Sequence, residues 1–184
     1  MKKQVVRTLC TPKKADARQF VVSDILELPV IKQPGGRQLD EAGALKVFQR
    51  NASFTSQPGC YVYGIRAAKG IKPVYVGKTE DQPLKKEALS PDKIGKINKA
   101  ILKTRKGTPV VAFVVPSKKP GPPPKSLIAE IEGVLIQHAY AKNPSIENDN
   151  GIFEPQWFIE GVINSKPGRR SKKAREFRSM VGIR

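Results

Sequence analysis

Tyrosine side chains are concentrated in one short stretch of the chain. Of its four tyrosines, three lie close together, at Tyr61, Tyr63 and Tyr75. Apolar residues flank a segment that contains Gly70 and Pro73, which predicts two strands joined as a β-hairpin. Simple alternation would allow at most two of the three phenols to share one face of the sheet. Phenol groups gathered on one small sheet indicate a functional site.

A glutamate occupies the apolar side of a predicted helix. Residues 126–143 carry apolar side chains at helical spacing, and Glu132 stands one turn after Ile128 and one turn before Ile136. Glu130 lies toward the polar side and is the ordinary solvated acid of the pair. A carboxylate among apolar side chains costs free energy unless a cation or a donor compensates. Taken alone, Glu132 indicates a salt-bridged or partly solvated side chain.

The charge of the chain is strongly positive and unevenly distributed. It has 34 Lys and Arg against 16 Asp and Glu, a net charge of +18, which favours a nucleic-acid partner. Residues 126–163 hold six acids and one basic residue, whereas 83–125 hold eleven basic residues and two acids, and 164–184 hold eight and one. Carboxylates for a hard cation, surrounded by cations for a phosphate backbone, are what a divalent-metal phosphodiesterase requires. The alternative is that the fold needs these acids for internal pairing.

The hairpin resembles the signature of the GIY-YIG nuclease family. Gly59-Cys60-Tyr61 stands at the place of its first triplet and Tyr75-Val76-Gly77 at the place of its second. The chain departs from the family in two ways here. Cys60 replaces the usual aliphatic residue, and the 13 residues of 62–74 form a spacer a few residues longer than usual.

The resemblance continues to a helix that carries the family's metal-binding glutamate, followed by a proline and an asparagine. The matching residues, in order, are Glu132, Ile136, Pro144 and Asn148. The resemblance implies hydrolysis of a phosphodiester bond with one divalent cation, Mg²⁺ or Mn²⁺. Glu132 would hold that cation, which would keep several waters because one carboxylate cannot fill its shell.

The resemblance also implies roles for other side chains. Tyr61 would position or deprotonate the attacking water, since a phenol beside cations can have its ionised form favoured. Tyr75 would hydrogen-bond nearby or, alternatively, pack against the following helix. Asn148 would orient the phosphate or the loop that carries it.

The arginine that the family carries after its second triplet is missing. No arginine occurs between Arg66 and Arg105. Lys85 and Lys86 stand near the expected place, and we take Lys86 as the candidate catalytic cation; Lys78 directly follows the triplet. Lysine supplies a point charge without a bidentate fork, so phosphate stabilisation would survive with poorer geometry, or activity would be lost.

The partner expected from charge and resemblance is DNA, although neither distinguishes DNA from RNA or fixes the oligomeric state. The residues predicted to bind nucleic acid are Lys78, Lys85, Lys93, Lys96, Arg169, Arg170, Lys172 and Lys173. A non-catalytic DNA- or RNA-binding protein on a GIY-YIG scaffold would explain the charge and the missing arginine equally well. A ribosome-associated or structural RNA-binding protein would explain the charge but not the ordered motif residues.

The fold class that we predict is α/β, with one main domain at 58–150. Its sheet would have three mainly antiparallel strands, formed by the hairpin and Pro109–Val115, with helices around it. Residues 1–57 would be an extension with a short helix capped by Asp40 and packed on the core. Residues 151–184 would be a basic extension ending in an amphipathic helix. The residues expected to point inward from that helix are Ala174, Phe177, Met180 and Val181.

Two further helices are predicted between the hairpin and the asparagine. One starts with Ser90 and Pro91 and ends before Gly107, and the other covers 126–143. Leu102 and Val134 are expected on their buried faces. The amino end lacks an apolar signal core and no apolar run is long enough for a bilayer, so we expect a cytoplasmic protein without a membrane partner. The two cysteines fit no metal-ligand spacing and are expected to be reduced thiols.

Overall fold

The computed structural model describes residues 19–68, 70–104, 106–117, 124–152, 159–160, 162, 168 and 170–181. The described residues up to 152 belong to one compact unit, and those from 159 onward belong to a second. None of the described helices is both long and apolar enough to cross a bilayer.

The described part of the first unit contains seven strands and five helices. The strands are β1 Phe20–Val22, β2 Leu26–Glu27, β3 Val30–Gln33, β4 Gly36–Leu39, β5 Gly59–Ala67, β6 Gly70–Thr79 and β7 Thr108–Pro116. The helices are α1 Glu41–Arg50, α2 Ala52–Thr55, α3 Leu84–Ala88, α4 Pro91–Lys103 and α5 Lys125–Lys142. In the second unit, the described helix is α6 Lys172–Met180.

The main sheet confirms the α/β class but has more strands than predicted. Its order is β1-β7-β5-β6, β2 also pairs with β7, and all of these pairs are antiparallel. The prediction of three strands is therefore wrong, because β1 and β2 cover the edge of β7 that would otherwise be unpaired. A separate two-stranded sheet is formed by β3 and β4.

The predicted hairpin is confirmed as β5 and β6, and its register brings all three tyrosines to one face. Tyr61 lies opposite Gly77, and Tyr63 lies opposite Tyr75. Residues directly opposite each other on antiparallel strands point to the same face, so a cross-strand tyrosine joins the two of β5. The expected limit of two phenols per face is therefore wrong. The ring centroid of Tyr61 lies 5.5 Å from that of Tyr63 and 6.1 Å from that of Tyr75.

The two faces of the sheet pack against different helices. The tyrosine face belongs to the larger core, which includes Phe48 of α1, Leu84 of α3 and Ile97 of α4. Val76 alternates with the tyrosines and faces the other way, where it packs against Ile136 of α5. Helix α5 therefore packs on the face opposite to the phenols, and the two faces meet at the outer edge of β6, the last strand in the sheet order.

The predicted helices of the first unit are present, with two errors in their buried faces. Asp40 caps α1 as expected, since its carboxylate accepts a hydrogen bond from the Gly43 backbone N–H. Pro91 begins α4, and the isoleucines of that helix are buried. Leu102 of α4 and Val134 of α5 are instead each 52% exposed, so their predicted burial is wrong.

Helix α6 is present but presents a different side from the one predicted. Ser171 caps it, and its buried residues are Ala174 and Arg178. The Arg178 guanidinium donates a hydrogen bond to the Val162 carbonyl within the same unit. The other predicted inward residues are exposed: Phe177, Met180 and Val181. Their predicted inward orientation is therefore wrong.

Candidate active site

A cavity of about 360 Å³ lies where β6, α4, α5 and the segment after α5 meet. It is lined by Tyr75, Asp92, Lys93, Lys96, Glu132, Ile136, Asn148, Asp149, Asn150 and Gly151. Three of the five predicted catalytic residues, Tyr75, Glu132 and Asn148, are thus brought together. Two lysines that the sequence assigned only to nucleic-acid binding join them.

The phenol of Tyr75 is surrounded by cations. Tyr75 of β6 is buried. The ammonium nitrogens of Lys93 and Lys96 lie 5.5 and 5.4 Å from its ring centroid. At this distance the ring attracts both cations. Burial lowers the pKa of Lys93, but the Asp92 carboxylate and the Tyr75 phenol outweigh it, so that this pKa is raised and the ammonium stays charged.

Glu132 is largely withdrawn from solvent and has a cation beside it. Its side chain is 20% exposed, and its Oε2 lies 3.7 Å from the ammonium nitrogen of Lys78. Burial raises the pKa of this carboxyl, and Lys78 opposes the effect only in part. The ammonium of Lys78 also lies 2.6 Å from Glu80, so its charge is shared between two carboxylates.

The donor set at the cavity fits a hydrated magnesium ion rather than a closed metal cage. In the part of the chain that the structure describes, no group of three or more His, Cys, Asp or Glu side chains is arranged to hold a metal. Mg²⁺ commonly uses one or two carboxylates and keeps several waters. The Glu132 carboxylate lines a cavity with room for such waters. Lys78 is the side chain that would compete with a cation for this carboxylate.

Asn148 anchors the segment after α5 to the free edge of β6. Its amide nitrogen donates to the Val76 carbonyl at 2.8 Å, and its amide oxygen accepts from the Val76 N–H at 2.9 Å. One residue earlier, the Glu147 N–H donates to the Val74 carbonyl. The segment after α5 thus pairs with β6 on both sides of Tyr75, through the Asn148 side chain at Val76 and the Glu147 backbone at Val74. Of the two roles implied for Asn148, this geometry matches the orientation of the loop.

Tyr61 lies behind the cavity wall rather than in it. Its side chain is fully buried, and its hydroxyl makes no hydrogen bond of ordinary geometry with the described residues. Burial raises the pKa of Tyr61, and the neighbouring phenols of Tyr75 and Tyr63 act in the same direction. The expectation that nearby cations favour its ionised form is therefore wrong, because the side chain is fully buried and the phenols beside it disfavour the charge.

Gly77 explains how the Tyr61 ring fits against β6. A Cβ atom at Gly77 would lie 2.5 Å from both the hydroxyl oxygen and the Cζ atom of Tyr61. Real Cβ atoms do not approach other atoms so closely, so the strand passes over the phenol only with glycine at this position.

The lysines of α3 are not part of the cavity. Lys85 and Lys86 are exposed and neither lines it. The α3 residue that approaches the site is Glu87, whose Oε1 lies 3.9 Å from the ammonium nitrogen of Lys93. The structure therefore does not bring the predicted catalytic Lys86 together with Tyr75 and Glu132.

The predicted nucleic-acid contacts of the carboxyl-terminal segment lie in the second unit. Arg170, Lys172 and Lys173 are exposed there. Arg169 lies outside the described residues.

Cys60 is a buried thiol under α5. Its Sγ lies 3.5 Å from the Ile128 carbonyl oxygen, and burial together with the Glu132 charge raises its pKa to about 12. It is therefore an uncharged thiol at neutral pH and no nucleophile, as expected for a reduced structural cysteine.

Sequence reasoning missed that Lys93 and Lys96 belong to the site itself. They are three residues apart on a helix whose start was predicted, so they had to share a face. Which face turns toward Tyr75 depends on how α4 docks on β6, and helical periodicity carries no signal for that docking.

Comparisons of the chain with known protein families, with curated proteins and with solved structures found no match.

Proposed function

We propose that this chain is a metal-dependent endonuclease of the GIY-YIG type that hydrolyses phosphodiester bonds in DNA. The observation that carries the proposal is one cavity lined by Tyr75, Glu132 and two lysines. A phenol, a carboxylate and cations that line one cavity are the groups that such chemistry needs. The order of the motif residues supports the same conclusion.

Each side chain of the cavity has a role in this proposal. Glu132 would hold Mg²⁺ or Mn²⁺, and a bound ion supplies stabilisation of the charge that develops on the cleaved phosphate. The hydroxyl of Tyr75 orients the attacking water. The ammonium groups of Lys93 and Lys96 bind non-bridging phosphate oxygens, and two point charges take the place of the missing arginine fork.

Tyr61 has a positioning role in this proposal. A buried phenol with a raised pKa is a poor base at neutral pH. Its ring instead packs against Tyr75 and Gly77 and fixes the strand that carries the cavity phenol.

The test is cleavage of supercoiled plasmid by wild type, Glu132→Gln and Glu130→Gln, with Mg²⁺ or Mn²⁺ against EDTA. Glu130 is an exposed acid on the same helix, so its variant is a charge-matched control. We expect metal-dependent nicking by wild type and Glu130→Gln, and a loss of about 10²-fold or more in Glu132→Gln. Nicking that persists in Glu132→Gln would point to a contaminating nuclease and refute the assignment.

A non-catalytic DNA- or RNA-binding protein is the second candidate. It is favoured by the ion pair between Glu132 and Lys78 and by the position of Lys85 and Lys86 outside the cavity. Mobility shifts at two salt concentrations decide between the two functions. Equal binding by all three proteins without cleavage by any would leave the binding function alone.

A further inference from the structure

Helix α4 carries a row of lysines that leads away from the candidate active site. We call this row the lysine track, and its members are Lys93, Lys96, Lys99 and Lys103. Lys96 lies 2.5 Å from Asp149, while Lys99 and Lys103 lie 2.7 and 2.5 Å from Glu147. These contacts place three of the four on the side of α4 that faces the segment after α5. The fourth, Lys93, lies at the cavity.

Every lysine of the track has an acidic partner, Lys93 lying 2.5 Å from Asp92, but a net positive charge remains at Lys99 and Lys103. The Glu147 side chain is only 9% exposed, whereas those of Lys99 and Lys103 are 63% and 57% exposed. Two accessible ammonium groups thus share one buried carboxylate, which leaves a net positive charge and holds both side chains in place. The Asp149 carboxylate that pairs with Lys96 is 81% exposed, and such surface pairs contribute little free energy.

The track ends at a second cavity, of about 380 Å³, near the turn of the β5–β6 hairpin. Its lining includes apolar side chains from three elements, namely Ile65, Ala67, Ile71, Val74 and Ala100. The charged residues that line it are one acid, Glu147, and four lysines: Lys72, Lys103, Lys106 and Lys142. An apolar surface with an excess of ammonium groups beside it complements a ligand that has a flat apolar body and negative charges next to it.

A nucleotide with an unpaired base has this chemistry. The base offers an apolar face and the flanking phosphates offer the charge, whereas the bases of an intact duplex are stacked and paired and cannot enter a groove. From Lys93 to Lys103 the track extends about 15 Å along the helix axis, a length that covers more than one phosphate of a single strand.

We propose that the lysine track holds the backbone of one strand and that the second cavity receives an unpaired base of that strand. The substrate would therefore carry a single-stranded segment, such as a tail or a flap, beside the bond that is cleaved. This inference rests on the proposed function for the identity of the ligand as nucleic acid.

The test is binding without cleavage, measured by fluorescence anisotropy in EDTA. The probes are a labelled blunt DNA duplex and the same duplex with a short single-stranded thymidine tail. Wild type should bind the tailed duplex about tenfold more tightly, the effect expected for burying one apolar group. Ala67→Glu places a carboxylate in the second cavity from an exposed hairpin position and should abolish this preference.

Gln49→Glu is the matched control, because it adds the same charge at an exposed position of α1. It should keep the preference for the tailed duplex. Lys72→Glu, on the rim of the second cavity, is the second variant should Ala67→Glu fail to fold, and it should also abolish the preference. Equal affinity of wild type for both probes, or a preference that survives these changes, would overturn the inference.

Salt dependence tests the electrostatic half of the proposal. Lys106→Ala should reduce the slope of log Kd against log salt concentration for the tailed probe by about 0.7, as for one lost phosphate contact. An unchanged slope would remove Lys106 from the strand path and count against the proposal.

Cleavage is measured separately, on the supercoiled plasmid and on the tailed duplex, each with Mg²⁺ or Mn²⁺. Tail preference without cleavage would keep this inference and refute the nuclease, and cleavage without tail preference would do the reverse. A failure of wild type to bind either probe would overturn both.

Discussion

The strongest prediction concerns the clamp that Asn148 makes on β6. Asn148→Ala removes two hydrogen bonds, at 2.8 and 2.9 Å, from the backbone of Val76. Each bond contributes about 0.5–1.5 kcal/mol net, and a buried backbone group left unpaired adds a desolvation penalty of about 1–3 kcal/mol. Val76 is fully buried, but Asn148 is only half-buried and water can replace part of what is lost. We therefore expect a loss of about 2–4 kcal/mol in the free energy of unfolding.

Urea denaturation followed by far-UV circular dichroism measures this loss. With a denaturant slope of about 2 kcal/mol/M, the midpoint should fall by about 1–2 M at unchanged slope. Asn150→Ala is the matched control, since Asn150 is exposed and lines the same cavity. It should change stability by less than about 0.5 kcal/mol.

Replacing Asn148 by aspartate tests the direction in which stability changes with pH. Asn148→Asp keeps an acceptor for the Val76 N–H but sets a negative oxygen against the Val76 carbonyl. The ionised form is then disfavoured in the folded state, so the variant should regain stability as the pH falls and the carboxyl protonates. Equal midpoints for Asn148→Ala and Asn150→Ala would refute the clamp. If cleavage activity were then lost as well, Asn148 would have to act on the phosphate directly.

Four more outcomes can be measured on the same unit. Gly77→Ala should lower the free energy of unfolding by about 1–3 kcal/mol, because its Cβ would lie 2.5 Å from the Tyr61 ring. Tyr61→Phe removes a buried hydroxyl without a hydrogen bond of ordinary geometry, so stability should stay the same or rise; a clear loss would show that the hydroxyl is paired. Lys93→Gln should slow metal-dependent cleavage by about 10²-fold, and Lys86→Gln should have a far smaller effect. Equal effects of the two variants would contradict the assignment of the catalytic cation to Lys93. Burial raises the pKa of Glu147, but hydrogen bonds from two lysines outweigh it and lower this pKa below the usual 4.5. That contribution to stability is present above pH 4.5 and is lost on acidification, so Glu147→Gln should flatten the pH dependence of unfolding below this value.

Local patterns in the sequence were sufficient for the hairpin and for the helix starts. The alternation around Tyr61 and Tyr75 and the capping position of Asp40 depend only on neighbouring residues, and the structure has the elements that they predict. The number of strands could not be obtained in this way. Strand β2 is two residues long, too short for any periodic signal, and it forms only because β7 offers a free edge.

The composition of the candidate site was predicted only in part, for a related reason. Sequence order selected Tyr75, Glu132 and Asn148, and the structure brings these three to one cavity. The burial of Tyr61 and the approach of Lys93 depend instead on how the sheet and α4 pack. Those are long-range contacts, and short motifs contain no information on them.

The uneven charge of the chain is explained in part by ion pairs between its acidic and basic segments. The acidic segment and the basic segment counted separately in the sequence face each other across the edge of β6, where Glu147 and Asp149 pair with lysines of α4. The simpler interpretation of the acids in 126–163, internal pairing, is confirmed for these two residues. Glu132 differs from them, since its nearest cation lies 3.7 Å away and is shared with Glu80. Glu147 and Asp149 therefore hold lysines of α4 in place, whereas the Glu132 carboxylate remains available to the cavity.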